Sequence, residues 1–150
     1  MKFTILGCGD IGHNIGHHLK QFGGTIYGMV NSIKKEKEEY IDEYFTQDKL
    51  PSYLKQSDYV CNVLPSTSGT RNLLTPEILK HCNDVVFINV GRGDVIKEEL
   101  ILEALEKKWF RAAILDVFEV EPLPKESPLW SHPNVFITPH RSGMTLTREV

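Results

Sequence analysis

A glycine-rich segment near the amino terminus, Gly7-Cys8-Gly9-Asp10-Ile11-Gly12, has the spacing G-x-G-x-x-G. It follows a short apolar run and precedes a helical pattern, and in that context each glycine has a use. Gly7 permits a tight turn, Gly9 lets the backbone approach a pyrophosphate, and Gly12 brings helix and strand together. The free N–H groups of the first helical turn, at Asp10 and Ile11, attract anionic oxygens. The segment predicts a dinucleotide-binding site, although the same glycines could form only a tight turn from strand to helix.

The end of the next β-rich run bears on which dinucleotide would bind. A carboxylate about 20 residues beyond the glycines normally holds the ribose hydroxyls of NAD. Val30 occupies that place here, and Asn31 and Ser32 follow it with side chains that can donate hydrogen bonds. Lys34 and Lys35 come next, so a 2′-phosphate would meet no repelling charge. We therefore favour NADP over NAD as the cofactor; the alternative is that the two lysines belong to a mixed-charge surface helix.

The last third of the chain adds a second and more specific set of segments. They are Gly91-Arg92-Gly93, the run Leu115-Asp116-Val117-Phe118-Glu119-Val120-Glu121-Pro122-Leu123-Pro124, and Asn134-Val135-Phe136-Ile137-Thr138-Pro139-His140. Together with Leu64-Pro65-Ser66-Thr67-Ser68-Gly69-Thr70, this combination resembles the D-2-hydroxyacid dehydrogenase family, over about residues 2–145. Some other dehydrogenase with the same nucleotide-binding fold would fit the glycines but would leave the segment from Asp116 to Pro124 unexplained.

The resemblance implies hydride transfer between a nicotinamide and a 2-oxo or 2-hydroxy acid. Such a reaction needs an anchor for the substrate carboxylate, and the planar guanidinium of Arg92 suits that task. The family pattern places its catalytic glutamate at the Glu-Pro step, which selects Glu121 over Glu119, and its proton-shuttling histidine at His140. It also implies that Asp116 faces the nicotinamide carboxamide. Taken singly, each residue could be structural: a surface ion pair, a solvated loop acid or a capped histidine.

Further cofactor contacts follow from the same resemblance. Besides the glycine turn, Asn31 and Ser32, we expect the cofactor site to include Leu64, Pro65, Thr70, Val90, Arg92, Asp116, His140 and Gly143.

The family also implies a domain organisation. Its members place part of a substrate-binding domain before the cofactor domain and the rest after it, and we expect that substrate domain to be absent from this chain. Residues 1–150 would then form only the dinucleotide-binding domain, acting on a small 2-oxo or 2-hydroxy acid and forming a homodimer. We expect the isolated chain to bind dinucleotide and to turn over substrate poorly, because half of the pocket is missing. The rival hypothesis is a non-catalytic dinucleotide-binding or interaction module.

The elements that position these residues alternate between strand and helix. Apolar strand patterns cover residues 2–6, 25–30, 58–64, 85–90, 112–117 and 135–138. Helical patterns cover Ile11 to Phe22, a segment opened by Thr75 and Pro76, and Lys97 to Lys108, and the charged segment 34–39 suggests a solvated helical face. The alternation predicts an α/β fold, a doubly wound parallel sheet of the Rossmann type.

Composition excludes several other classes of protein. The 150 residues have a formal net charge of −3, so a broad basic field for nucleic acid is absent. The apolar start of the chain is too short for a signal peptide or a membrane span, so we expect a cytoplasmic protein without a membrane partner. The three cysteines lack a Cys-x-x-Cys pair and predict buried free thiols. His13 and His17 lie four apart on the first helix, but no glutamate accompanies them as in zinc-binding helices, and we expect no metal.

Overall fold

The computed structural model describes residues 1–33 and 38–143. That part of the chain contains seven strands and four α-helices. The strands are β1 (Lys2–Leu6), β2 (Thr25–Met29), β3 (Glu43–Phe45), β4 (Tyr59–Asn62), β5 (Val85–Asn89), β6 (Phe110–Leu115) and β7 (Val135–Ile137). The helices are α1 (Asp10–Gln21), α2 (Leu50–Leu54), α3 (Pro76–Leu79) and α4 (Glu98–Glu106).

The strands form one parallel sheet in the order β3-β2-β1-β4-β5-β6-β7. From β1 the chain runs to one edge through β2 and β3, then crosses back to β4 and continues to the other edge. The carboxyl ends of all strands therefore lie at one edge of the sheet, with a switch point between β1 and β4 where ligands of such sheets bind. The predicted doubly wound α/β fold is confirmed.

Helix α1 packs on the sheet through glycines rather than through a full apolar stripe. A methyl group at Gly16 would lie 2.7 Å from Ile41 Cδ1, so the helix can approach this closely only because that side chain is missing. Ile15 and Leu19 pack against the small core of this face. Ile11 and Phe22, which bound the predicted helical pattern, are not buried with them: they are 61% and 79% exposed.

The opposite face of the sheet carries the larger core. Phe87 of β5 and Phe110 of β6 stack there with ring centroids 4.9 Å apart. Helix α4 covers this face with the predicted stripe, because Leu100, Ile101, Ala104 and Leu105 are all buried. This core anchors β5 and β6, whose carboxyl ends lead into the predicted catalytic segments.

Some elements differ from the sequence-based prediction. The patterns did not indicate β3 or α2; both ends of β1 are as predicted, and no end of the other predicted strands differs by more than two residues from its prediction. Thr75 is the N-cap residue of α3, as predicted, although its side chain makes no capping hydrogen bond. The predicted helical face at 34–39 lies mostly outside the described residues. A proline-rich segment, with Pro122, Pro124, Pro128 and Pro133, separates β6 from β7 and includes a 3₁₀ turn at Pro128–Ser131.

The three cysteines are free thiols, two of them buried and Cys8 half-buried. No helix in the described ranges has the length and apolar character needed to cross a bilayer.

Candidate active site and cofactor cleft

The glycine turn after β1 has the geometry expected of a phosphate cradle. Gly7 has a φ of +101°, which strongly favours glycine. A methyl group at Gly12 would lie 2.0 Å from the Gly7 carbonyl oxygen, so Gly12 lets α1 start directly against the turn. A methyl group at Gly9 would meet no atom within 4 Å, so open space lies in front of this backbone. The first-turn N–H groups of α1 have no partner within the helix and can bind an anion there.

A cleft of about 530 Å³ begins at this turn. The predicted residues Gly7, Gly9, Asn31, Ser32, Leu64 and Pro65 line it, together with Cys8, His13, Met29, Val30, Glu38 and Tyr44. Burial raises the pKa of the Cys8 thiol to about 12, so this side chain adds no negative charge beside the anion site. Lys34 and Lys35, on which the NADP argument drew, lie outside the described residues.

Six of the lining residues were not predicted as cofactor contacts, and three of these are His13, Glu38 and Tyr44. His13 Nε2 and the Tyr44 hydroxyl are 3.1 Å apart, and both line the cleft near Asn31. Glu38 also lines it, so this end of the cleft contains a carboxyl group that the absence of an acid at Val30 did not suggest. His13 was considered only as a metal ligand, and no sequence signal connected it with a strand 31 residues away.

Two buried asparagines fix the loops that follow β4 and β5. Asn62 and Asn89 are 0% and 1% exposed, and Asn62 Nδ2 donates to Asn89 Oδ1 at 2.8 Å. The oxygen of Asn62 accepts the Leu64 N–H at 3.2 Å, and Asn89 Nδ2 donates to the Arg92 carbonyl at 3.1 Å. The pair thereby joins the cofactor cleft to the Arg92 loop. The sequence could have indicated this pair, because each asparagine is a polar residue in an otherwise apolar strand.

The Arg92 loop packs tightly on the segment that carries Glu121. A methyl group at Gly93 would lie 1.9 Å from the Phe118 carbonyl carbon, so the two backbones are in direct contact. Arg92 itself is exposed, and its Nη1 donates to the Gly91 carbonyl at 2.7 Å.

Glu121 and His140 form a direct pair at the same edge. His140 Nδ1 donates to Glu121 Oε2 at 2.7 Å, and the other oxygen, Oε1, accepts the Phe118 N–H at 3.0 Å. Burial alone would raise the pKa of Glu121. The hydrogen bonds from His140 and Phe118 and the positive charges of His140 and Arg92 outweigh that effect and lower the pKa. The structure thus brings Glu121 and His140 into contact and places Arg92 near enough for its charge to lower the pKa of Glu121.

Asp116 directly follows β6 and contacts the segment that carries His140. It is 2% exposed, and its carboxylate accepts hydrogen bonds from the Thr138 hydroxyl, from the Arg141 N–H at 2.9 Å, and from the N–H and hydroxyl of Ser142 at 3.0 and 2.6 Å. Burial would raise the pKa of Asp116, but these donors hold it well below its usual range. The expected contact with a nicotinamide carboxamide stays a prediction.

The other predicted cofactor residues are spread along the same edge. Asp10 and Ile11 are exposed in the first turn of α1, and Gly143 is exposed beyond His140. The Thr70 hydroxyl donates to the Pro65 carbonyl at 2.6 Å, which shapes the loop beside the cleft, and the Val90 N–H donates to the Asn62 carbonyl at 3.1 Å. Within the described ranges no group of three His, Cys, Asp or Glu side chains could hold a metal ion.

Comparison of the amino-acid sequence with those of known proteins identifies relatives of this chain. Residues 1–142 match the family model described as D-isomer specific 2-hydroxyacid dehydrogenase, NAD binding domain. Glyoxylate/hydroxypyruvate reductase A of Yersinia enterocolitica is 36% identical over 148 residues, which cover 97% of this chain and 47% of the relative. The chain thus spans about half the length of the curated relatives that it matches.

Solved structures give the same result. A D-isomer specific 2-hydroxyacid dehydrogenase from Xanthobacter autotrophicus Py2, in complex with NADPH and MES, is 37% identical with a TM-score of 0.90, covering 99% of this chain and 61% of that one. An NADPH-dependent glyoxylate/hydroxypyruvate reductase from Sinorhizobium meliloti, in complex with NADP and sulfate, is 34% identical with a TM-score of 0.85, covering 93% and 45%. The chain therefore belongs to the D-isomer specific 2-hydroxyacid dehydrogenase family, of which it contains the NAD-binding domain.

Proposed function

We propose that this chain is the cofactor-binding half of an NADPH-dependent reductase of small 2-oxo acids such as glyoxylate or hydroxypyruvate. The cofactor and substrate class are those of its relatives, which are glyoxylate/hydroxypyruvate reductases, one of them NADPH-dependent. The observation that carries the proposal is the contact of 2.7 Å between His140 and Glu121, which follow strands of the same parallel sheet whose β1 leads into the glycine turn of the cofactor cleft.

The residues present fit a dinucleotide. The open space in front of Gly9 accommodates a pyrophosphate against the first turn of α1, a helix of 12 residues. Asn31 and Ser32 lie where they could bind the ribose end, and Leu64 and Pro65 form the wall of the cleft. When bound, the nicotinamide supplies or accepts the hydride.

The chain's own residues would bind the acid and move the proton. The Arg92 guanidinium would clamp the substrate carboxylate and polarise the neighbouring carbonyl. Glu121 holds His140 through Nδ1, which fixes the imidazole orientation and directs proton exchange to Nε2. His140 would then donate a proton to the carbonyl oxygen during reduction and accept one from the hydroxyl during oxidation.

A binding titration tests the cofactor proposal. We expect NADPH fluorescence to change saturably when the purified chain is added, with a lower Kd for NADPH than for NADH because Val30 replaces the usual ribose-binding acid. Clearly tighter binding of NADH would contradict the NADP preference. The comparison is needed because Glu38 lines the cleft, and a carboxylate there would repel a 2′-phosphate. Absence of saturable binding by either nucleotide would contradict the proposed function itself.

Turnover by the 150-residue chain alone is proposed to be weak. Positioning of substrate contributes about 7–11 kcal/mol in well-organised sites, more than the roughly 3–5 kcal/mol from acid–base catalysis. Acid–base catalysis by His140 would not replace the substrate positioning that a second domain would supply. We expect little NADPH oxidation with a panel of 2-oxo acids, and none above the level of a His140→Ala control. Rapid reduction that this variant abolishes would contradict the proposed need for a second domain.

A non-catalytic dinucleotide-binding module is the alternative. It would retain the cleft but would have no need for the Arg92, Glu121 and His140 arrangement. The reductase names of the relatives also support the enzymatic proposal.

We further propose that the protein is a cytoplasmic homodimer. Ile114 and Phe136 are neighbours on β6 and β7 and are 37% and 58% exposed, an apolar pair suited to contact with a second copy. Free thiols support a reducing compartment. Sedimentation equilibrium should give a dimer mass for the chain and a monomer mass for Phe136→Asp. A monomeric wild-type chain would contradict the dimer, and cell fractionation tests the location.

A further inference from the structure

The carboxylate of Asp116 is saturated by the segment that carries His140. Oδ1 accepts from Thr138 Oγ1 and the Arg141 N–H, and Oδ2 accepts from the N–H and hydroxyl of Ser142. An ionised carboxylate offers about four lone-pair sites. The four hydrogen bonds therefore all come from residues that flank His140.

His140 needs such support because its backbone is in an unfavourable conformation. Its φ is +51°, in the left-handed region that residues other than glycine rarely adopt. The His140 N–H donates to the Thr138 carbonyl at 3.1 Å, which makes a tight turn on one side of the residue. Strained residues of this kind persist only where the surrounding contacts determine them.

Among the described residues, few other hydrogen bonds hold this segment close to His140. The Thr138 N–H donates to the Leu115 carbonyl at 3.0 Å, where β7 ends, and the His140 side chain then reaches Glu121. The bonds to Asp116 lie on both sides of the histidine, at Thr138 before it and at Ser142 after it. These bonds hold the backbone on both sides of His140 and thereby set the direction of its side chain.

We propose that Asp116 is a positioning residue, whose carboxylate clamps residues 138–142 and so aims the His140 imidazole at Glu121. Its significance for catalysis rests on the proposed function, but the clamp itself does not.

Nuclear magnetic resonance on the free chain tests the clamp. In Asp116→Asn, an amide nitrogen replaces one of the acceptors facing Ser142. We expect the Arg141 and Ser142 amides to exchange with solvent at least tenfold faster than in the wild type. We also expect the proton shared by His140 Nδ1 and Glu121 to lose its separate downfield resonance. Wild-type exchange rates with an intact resonance would overturn the proposal.

Three further variants extend this test, and the first separates position from charge. Asp116→Glu keeps the charge but moves the oxygens by one methylene, so it should resemble Asp116→Asn. Restoration of the wild-type resonance would overturn the clamp in favour of a charge effect.

Asp94→Asn is the matched control. Asp94 accepts from Ser66 at 2.5 Å on a neighbouring loop, so its substitution should leave the His140 resonance unchanged. If Asp116→Asn does not fold, Thr138→Val removes a single bond and should accelerate exchange at Arg141 to a smaller extent. Unchanged exchange in a folded Thr138→Val would count against the clamp.

Nucleotide binding distinguishes the clamp from direct cofactor contact. A carboxamide contact predicts that Asp116→Asn weakens NADP⁺ binding, leaves binding of 2′-phospho-ADP-ribose unchanged and preserves the His140 resonance. The clamp predicts loss of the resonance in the absence of any nucleotide. Failure of the wild-type chain to bind either nucleotide would refute the proposed function without affecting this result.

Discussion

Substitution of Gly9 by alanine should separate cofactor binding from folding. Gly9 has φ −86° and ψ −163°, an extended conformation that alanine adopts without strain, and the added methyl group would meet no protein atom within 4 Å. The folded state should therefore tolerate the change. At such positions alanine stabilises a protein by about 0.4–1 kcal/mol, because it restricts the unfolded chain.

The same methyl group would occupy the space through which a pyrophosphate approaches the first turn of α1. Hydrogen bonds to charged groups contribute about 1.5–3 kcal/mol each. Loss of one such bond raises Kd by roughly 10- to 150-fold. NADPH fluorescence titration measures the affinity, and thermal unfolding measures stability on the same sample.

Gly69→Ala is the matched control for this experiment. Its added methyl group would meet only Thr67 Oγ1, at 3.9 Å, and Gly69 is not among the described residues that line the cofactor cleft. Both properties should stay near wild type. Wild-type NADPH affinity in Gly9→Ala would refute the placement of the pyrophosphate at this turn.

Three further changes test other parts of the structure. Gly12→Ala places a methyl group 2.0 Å from the Gly7 oxygen and should lower the free energy of unfolding by about 1–3 kcal/mol in urea titrations; an unchanged value would contradict the close contact. Asn89→Ala leaves the Gly91 N–H without its acceptor at 3.2 Å and should cost about 1–3 kcal/mol, whereas wild-type stability would show that the pair is dispensable. Glu121 has a folded pKa below 4.5, so its stabilising effect is present above that pH and is lost as the pH falls through the folded value. Stability measured by urea should thus fall more steeply below pH 4.5 in the wild type than in Glu121→Gln, and identical profiles would contradict the lowered pKa.

Strands and helices with strong apolar patterns were predictable from the sequence. Strand β5 is a continuous apolar run because both of its faces are covered, and α4 has a single stripe because only one of its faces is buried. The two missed elements are short. Strand β3 has three residues and α2 has five, too few to establish a period.

The packing of α1 shows where apolar patterns mislead. The pattern counts large side chains, and so it includes Ile11, which the structure leaves exposed. The structure buries Gly12 and Gly16 instead, because the helix approaches the turn and the sheet so closely that a side chain would not fit. A pattern based on hydrophobicity carries no information about contacts that require the absence of a side chain.

The candidate site was predictable as a set of residues but not as a set of contacts. Arg92, Glu121 and His140 could be named from motifs, and parallel strands bring their carboxyl ends to one edge. The bonds from Asp116 to residues 138–142 and from Asn62 to Asn89 depend on strand order and register, which follow from the whole sheet.

The central claim is that one dinucleotide spans the glycine turn and the edge that carries Arg92, Glu121 and His140. Amide chemical shifts of the labelled chain, recorded during addition of NADP⁺, test it most directly. We predict that the largest changes occur at two places, residues 7–12 and the segment around His140, and that both saturate with one Kd. Changes at neither place, or changes confined to a different surface of the sheet, would contradict the claim.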